Sequence, residues 1–408
     1  MSVLATNEIG TIFFALFLLL SSSFICGKIF EIINAPKVVG EIVGGMLIGA
    51  SCIGHFYPEF FNSVFNSFTE EGKVLNIFYQ LGLVMLMFVS GFNTTLSINR
   101  KNAKNYILLF LGATIIPMML GILFVPMFQS DFTGAANNEW AFAIVFIISV
   151  AITSIPVISK IFFDIGMMNT NFSNMVLTVS TLQDLCLWIL LNMAISLVQT
   201  GTFNPVDFLI TTGITIGLLI AVKLIEFIFK KIRIHLNKNI VPISLCIMFV
   251  TVYGLSKLNI NIMYSAFIAG YLIKALVSQN NKDIEKIKDF AFSFFVPIYF
   301  ALVGLQLDVI NDFSISRFFT FFGIAFGLEF FGTVMIMLFT RLKKKTIFTL
   351  GITMNARGGP GIVLATTALA YNIINIEFFT VLILTTMLSS TIAGYWLRAV
   401  KEEVQYDA

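Results

Sequence analysis

The sequence predicts an all-α polytopic membrane protein with thirteen transmembrane helices, an inverted repeat and two discontinuous crossing helices. Three observations predict it. Of 408 residues, 58% are apolar and only 12% charged, against about 25% charged in soluble domains. A soluble fold of this length cannot bury that much apolar surface under a polar exterior. Apolar stretches recur along the whole chain, and each is long enough for a span of about 20 residues. Two of them are interrupted by Pro, Gly and polar residues at matched positions.

The spans are expected to begin near Ile9, Pro36, Leu75, Lys104, Glu139, Phe172, Asp207, Ile240, Asn261, Lys288, Ile315, Thr346 and Asn375. The first lacks a basic leader, follows Glu8 and exceeds a typical signal core, so it reads as a span rather than a signal peptide. The connections are short. Residues 1–408 therefore read as one transmembrane unit with no soluble domain. Basic residues test this count, because cytoplasmic loops collect Lys and Arg. With the N-terminus outside, most of the 25 Lys and Arg fall inside. Lys73, Lys257 and Arg317 fall outside, and Lys223 and Arg357 fall within spans. The expectation is a multi-pass protein of the cell (plasma) membrane, N-terminus outside and C-terminus cytoplasmic. Few prolines and many Asn, Ile, Phe and Lys suit an AT-rich bacterial genome.

Three pairs of segments look alike. GGMLIGA around Gly45 matches AGYLIKA around Gly270, and FVSGFNTTL around Gly91 matches ALVGLQLDV around Gly304. Thr153-Ser154-Ile155-Pro156 matches the interruption Asn355-Ala356-Arg357-Gly358-Gly359-Pro360-Gly361. They fall in spans 2 and 9, 3 and 10, and 5 and 12, always seven spans apart. Seven is odd, so the copies would cross the bilayer in opposite senses, as inverted repeats do in alternating-access transporters. Glycine also serves helix packing in membranes, so a single match carries little and the shared order carries more. Pro and Gly interrupt backbone hydrogen bonding that lipid cannot replace, so unwound stretches belong inside the protein or along a wet cavity. Paired breaks would bring four half-helix ends, two partly positive and two partly negative, toward the midplane.

Ionisable residues in spans are costly and usually functional. Asp184 lies mid-span in Ser180-Thr181-Leu182-Gln183-Asp184, with long apolar flanks and no basic neighbour. Desolvation penalises a bare carboxylate, so a proton and a metal cation would compete for it, which is the minimal chemistry of antiport. Hard cations want oxygen ligands. Ser180, Thr181, Gln183, Thr153, Ser154 and freed backbone carbonyls are the candidate suppliers around Asp184, the candidate monovalent-cation ligand. Glu329, mid-span in the eleventh, is either a second proton site or the counter-ion of Arg357. Arg357 stays charged and would compensate carbonyl ends at the second break, flanked by Asn355 and Pro360, with Pro156 marking the first. Glu41 reads as a packing or gating residue.

Other classes are excluded. Basic residues sit in short runs between spans rather than on one face, which argues against nucleic acid. Cys26, Cys52, Cys186 and Cys246 are dispersed, and His55 and His235 lie in expected loops, so no His/Cys metal site is implied. There is no nucleophile elbow, ligand cluster or phosphate loop in a suitable context. The chain reads as a non-enzyme, and no cofactor is implied.

These motifs resemble those of the monovalent cation:proton antiporter-2 family. The resemblance rests on Pro36 to Gly49 (PKVVGEIVGGMLIG), Leu81 to Phe92 (LGLVMLMFVSGF), the Thr-Ser break, Gln183-Asp184 and Asn355-Ala-Arg-Gly. It covers nearly the whole chain. It implies a homodimer with a dimerisation domain and a mobile six-helix core of about 75–199 and 288–400. It also implies elevator-like exchange of Na+ or K+ for H+ at Asp184. Sodium-selective electrogenic members carry two adjacent acids where this chain has Gln183-Asp184, and a lysine where it has Glu329. The paired loss implies electroneutral exchange. Gln-Asp resembles the glutathione-gated potassium efflux branch, whose C-terminal nucleotide-binding domain is absent after span 13. Gly359 stands where many members have Glu. Two alternatives stay open: a proton- or cation-coupled carrier of an organic or anionic solute, and a non-transporting sensor or assembly subunit.

Overall fold

The computed structural model describes residues 4–93, 103–167, 170–201, 205–232, 239–258, 260, 262–277, 282–311 and 313–405. Helices α1 (Thr6–Ile32) and α2 (Lys37–Ile48) are followed by two short helices, α3 (Ile53–Phe56) and α4 (Pro58–Phe65). After α5 (Glu71–Asn93), α6 (Ala103–Phe110) runs into a π-helical turn (Leu111–Ile115) and α7 (Ile116–Gly121). A 3-10 turn (Ile122–Phe124) then leads into α8 (Val125–Phe132). α9 (Glu139–Val150) and α10 (Ile155–Asp164) are separated by a four-residue break. α11 (Asn171–Thr200), α12 (Pro205–Ile232), α13 (Ile240–Ser256) and α14 (Ile262–Leu276) come next. α15 (Lys282–Phe290), a second π-helical turn (Ala291–Phe295) and α16 (Val296–Leu305) precede α17 (Ile315–Met337). α18 (Lys344–Met354) and α19 (Gly359–Ala370) flank a second break, and α20 (Ile376–Gln405) ends the chain.

Among the described residues, eight helical segments are long and apolar enough to cross a membrane, and shorter apolar helices include α9, α13 and α14. Their outward side chains suit lipid: Phe13, Phe24, Leu123, Trp140, Phe331 and Phe339 are exposed. Local signals set the ends. The side chains of Asn138, Thr170 and Ser314 accept the N–H groups of Ala141, Ser173 and Arg317 at the starts of α9, α11 and α17, which satisfies donors that a helix start leaves unpaired. Gly201 ends α11 at φ 72°, a left-handed cap that glycine adopts without a Cβ penalty.

The chain divides into two compact units. The first is Met1–Ile33, Lys37–Thr94 and Gly213–Asn311. Its packing turns on four glycines. A Cβ on Gly45 would overlap the Ala301 carbonyl, and one on Gly304 the Ile42 carbonyl. In the same way Gly91 lies on the Phe267 carbonyl and Gly270 on that of Phe88. In each case the residue touched lies three positions before the partner glycine. α2 against α16 and α5 against α14 therefore make the same reciprocal contact, with backbones closer than any side chain permits. Glu41, buried on α2, pairs with Lys37 one turn earlier at 3.3 Å.

The second unit is Asn34–Pro36, Thr95–Thr212 and Asp312–Ala408. It contains α6–α11 and α17–α20, whereas residues 75–94 and 288–311 lie in the first unit. Tyr106, Val157, Phe162, Phe172, Leu350 and Leu397 share its apolar core. At one end Arg317 clasps Asp131 at 3.0 Å and Glu377 at 3.1 Å, tying the starts of α17 and α20 to the end of α8. α11 packs against α9, α10, α18 and α19, the four half-helices that flank the two breaks.

Candidate ion site

Both breaks have a sequence cause. Pro156 and Pro360 each stand second in the half-helix that follows, where a missing N–H costs nothing. They also deny a bonding partner to carbonyls upstream, so a continuous helix through either site would be broken. The two unwound segments bond to each other: Ser154 N–H donates to the Ala356 carbonyl at 2.7 Å, and the Thr153 hydroxyl donates to the Met354 carbonyl. Gly358 permits this approach, since a Cβ there would lie 2.5 Å from Ser154 Oγ.

Arg357, 2% exposed, projects from the second break to the first. Its Nη2 donates to the Val150 carbonyl at 2.8 Å and to Glu329 Oε2 at 3.2 Å. Val150 is the last residue of α9, so the guanidinium caps a partly negative helix end. Glu329 is fully buried on α17, and Thr153 Oγ1 lies 3.4 Å from its other oxygen. Glu329 therefore makes a counter-ion contact with Arg357.

Asp184 is 2% exposed, so it faces neither water nor acyl chains. Its Oδ1 has no hydrogen-bond partner among the described residues. Gln183 Nε2 donates to the Ala113 carbonyl at 3.0 Å, and its Oε1 has no hydrogen-bond partner among the described residues. Ser180 Oγ is buried without a partner among the described residues. Thr181 bonds back to its own helix at Leu177. Asn355 Nδ2 bonds to the Gly351 carbonyl at 3.0 Å, while its Oδ1 is unpartnered among the described residues. Thr153, Ser154, Glu329 and Arg357 thus share one connected network within the second unit, while Gln183 is held by Ala113. Thr181 stands apart from that network, and of Pro156 only the helical position is described. No group of three or more His, Cys, Asp or Glu is placed to hold a metal among the described residues. His235 lies outside the described residues.

Sequence reasoning missed two participants. The Ser390 hydroxyl donates to the Arg357 carbonyl, and its signal was a Ser-Ser pair inside an apolar span. The Ala113 carbonyl, which holds Gln183, has no side-chain signature.

A membrane-embedded helical unit with paired helix breaks and a buried carboxylate without a counter-charge is the build of an ion-coupled carrier. Residues 17–402 match the family model described as sodium/hydrogen exchanger, transmembrane, and the chain belongs to that family, one of transporters rather than enzymes. It is 24% identical to cation/H(+) antiporter 17 of Arabidopsis thaliana, over 86% of this chain and 44% of that protein. It is 25% identical to K(+)/H(+) antiporter 1 of Saccharomyces cerevisiae, over 88% of this chain and 43% of that protein. The chain thus spans less than half the length of these two relatives. It is 23% identical to the Na(+)/H(+) antiporter NhaS4 of Synechocystis sp., over 95% of this chain and 97% of that one. Its fold is similar to the sodium proton antiporter MjNhaP1 from Methanocaldococcus jannaschii, solved at pH 8. The TM-score is 0.62 at 13% identity, covering 98% of this chain and 99% of that one.

Proposed function

We propose that this protein exchanges Na+ or K+ for H+ across a membrane, with Asp184 as the shared binding group. One observation carries the reading. Two carboxylates are buried in the second unit near mid-helix, and only Glu329 has a cationic partner among the described residues. An ionised carboxylate without a counter-charge is costly away from water, so Asp184 is satisfied by either a proton or a cation. Oxygens of Thr153, Ser154 and Ser180, with carbonyls freed at the breaks, complete the cation's shell.

The same bookkeeping supports electroneutral exchange. Arg357 and Glu329 cancel, Gln183 is neutral, and Asp184 takes up one charge whichever ion it holds. Pairing with Glu329 also occupies the charge that an organic anion would need from Arg357, which favours the cation reading. The reciprocal glycine contacts and the matched breaks support thirteen spans in an inverted repeat, with the two interrupted helices crossing at their breaks. We take the second unit as the ion-carrying core of an elevator-like cycle, in a homodimer of a bacterial plasma membrane with the N-terminus outside.

Purified protein in liposomes with an imposed pH gradient tests this. Added Na+ or K+ should drive proton flux, and a clamped membrane potential of either sign should leave the rate unchanged. Correctly inserted protein with no cation-dependent proton flux would overturn the reading.

A further inference from the structure

The fourth apolar stretch departs from α-helical geometry where it meets the site. At the π-helical turn Leu111–Ile115, the Ile116 N–H donates to the Leu111 carbonyl, five residues back instead of four. The next residue, Pro117, occupies the position whose N–H an α-helix would offer to the Ala113 carbonyl, and proline has no N–H. Ala113 is fully buried, and a buried carbonyl left unpaired is costly. The donor that reaches it comes from another helix: Gln183 Nε2 at 3.0 Å. π-turns inside α-helices are often found at functional sites, and this one contains the carbonyl that holds Gln183, the residue before Asp184.

The chemistry of position 183 follows. Its side chain donates to the Ala113 carbonyl. A primary amide carries N–H donors, so glutamine can serve this acceptor. An ionised acid would set an acceptor against it. We infer that Gln183 is a positioning residue: its amide bridges α11 to the Ala113 carbonyl and fixes the turn that presents Asp184, with Pro117 keeping that carbonyl available. The inference rests on the antiport reading above and assigns the fourth stretch a part in it.

Three variants test the bridge in the liposome assay. Pro117→Ala supplies a competing N–H, Gln183→Asn keeps the amide one methylene short, and Gln183→Glu removes the donors. In Pro117→Ala and Gln183→Asn the half-saturating cation concentration should rise roughly three- to tenfold, the scale of one buried hydrogen bond, with the maximal rate retained. In Gln183→Glu it should rise further. A merely structural role would lower the melting temperature and the active fraction without moving half-saturation. Asp184→Asn is run beside them: activity in that variant sinks the antiport reading itself. An inactive Asp184→Asn, with wild-type half-saturation in the other variants, overturns the bridge alone. If Pro117→Ala does not insert, Gln183→Asn decides, because it leaves the backbone of the fourth stretch untouched.

Discussion

Between Val150 and Ile155 the backbone leaves helical geometry over Ala-Ile-Thr-Ser, and between Met354 and Gly359 it does so over Asn-Ala-Arg-Gly. Both breaks are four residues long, and both following half-helices carry Pro in second place. Aligned on those prolines, Arg357 stands where Thr153 does, and Gly358 where Ser154 does. One break offers hydroxyls, and the other a fixed cation whose guanidinium serves the opposite break by capping the Val150 carbonyl. The backbone plan is duplicated while the chemistry is divided. Because Arg357 is matched by Glu329, that division leaves Asp184 as a buried carboxylate with no counter-charge among the described residues. The contrast between the breaks therefore has a counterpart in two buried acids, one paired with Arg357 and one without a counter-charge among the described residues.

Exchanging the acids for amides is the sharpest way to break that contrast. Asp184→Asn should abolish cation-dependent proton flux with the fold intact, because the amide neither ionises nor competes for a cation. Glu329→Gln should act on stability instead. Removing one partner of a buried ion pair typically costs about 3–5 kcal/mol, so the melting temperature in detergent should fall steeply while inserted protein still exchanges ions. If Glu329→Gln abolished flux at unchanged stability, Glu329 would be a proton site and the assignment would reverse. The pair is tested further by Arg357→Gln with Glu329→Gln. The double variant should melt above the sum of the single losses, with a coupling of about 1–3 kcal/mol.

Much of this was legible in the sequence. Asp184 announces itself as a charge amid apolar flanks, and the breaks announce themselves through Pro156 and Pro360. Glu41 was visible as a packing or gating candidate, but its pairing with Lys37 one turn earlier was not read from the sequence. Glu329 and Arg357 were visible as candidates, but they stand 28 residues apart on different elements, and no local periodicity brings them together. The glycine motifs were legible as a repeat, yet not what each glycine touches, because an absent side chain does not name its neighbour. The Ala113–Gln183 bond was hidden because every residue has a carbonyl, and only Pro117 hints that this one is free.

Gly358 gives a smaller test of how tightly the breaks are matched. Its φ of 177° is extended backbone that any residue adopts, so the cost of Gly358→Ala is steric alone. The added carbon would meet Ser154 Oγ at 2.5 Å and press on Val157, and overpacking of this kind costs about 1–3 kcal/mol. Gly361→Ala is the control. Its nearest contact would be Thr386 Oγ1 at 3.2 Å, with the next atom at 3.9 Å, so its melting temperature should stay closer to wild type than that of Gly358→Ala. Equal losses in both would mean that the second break tolerates no added volume anywhere, and that the close approach at Gly358 is not special.

The smallest effect separates the two hydroxyls of the first break. Thr153 donates to the Met354 carbonyl and lies 3.4 Å from Glu329, so Thr153→Val removes a buried bond at nearly constant volume. The expected loss is about 1 kcal/mol, the net worth of one hydrogen bond. Ser154 contributes to the junction mainly through its backbone N–H, 2.7 Å from the Ala356 carbonyl, which alanine keeps. Its hydroxyl makes only a 3.4 Å contact with the Val157 N–H. Ser154→Ala should therefore melt within a few tenths of a kcal/mol of wild type, below the roughly 1 kcal/mol mean for a hydrogen bond. A larger loss at Ser154 than at Thr153 would show that hydroxyls, not backbone bonding, hold the two unwound segments together, and the division of labour between the breaks would have to be redrawn.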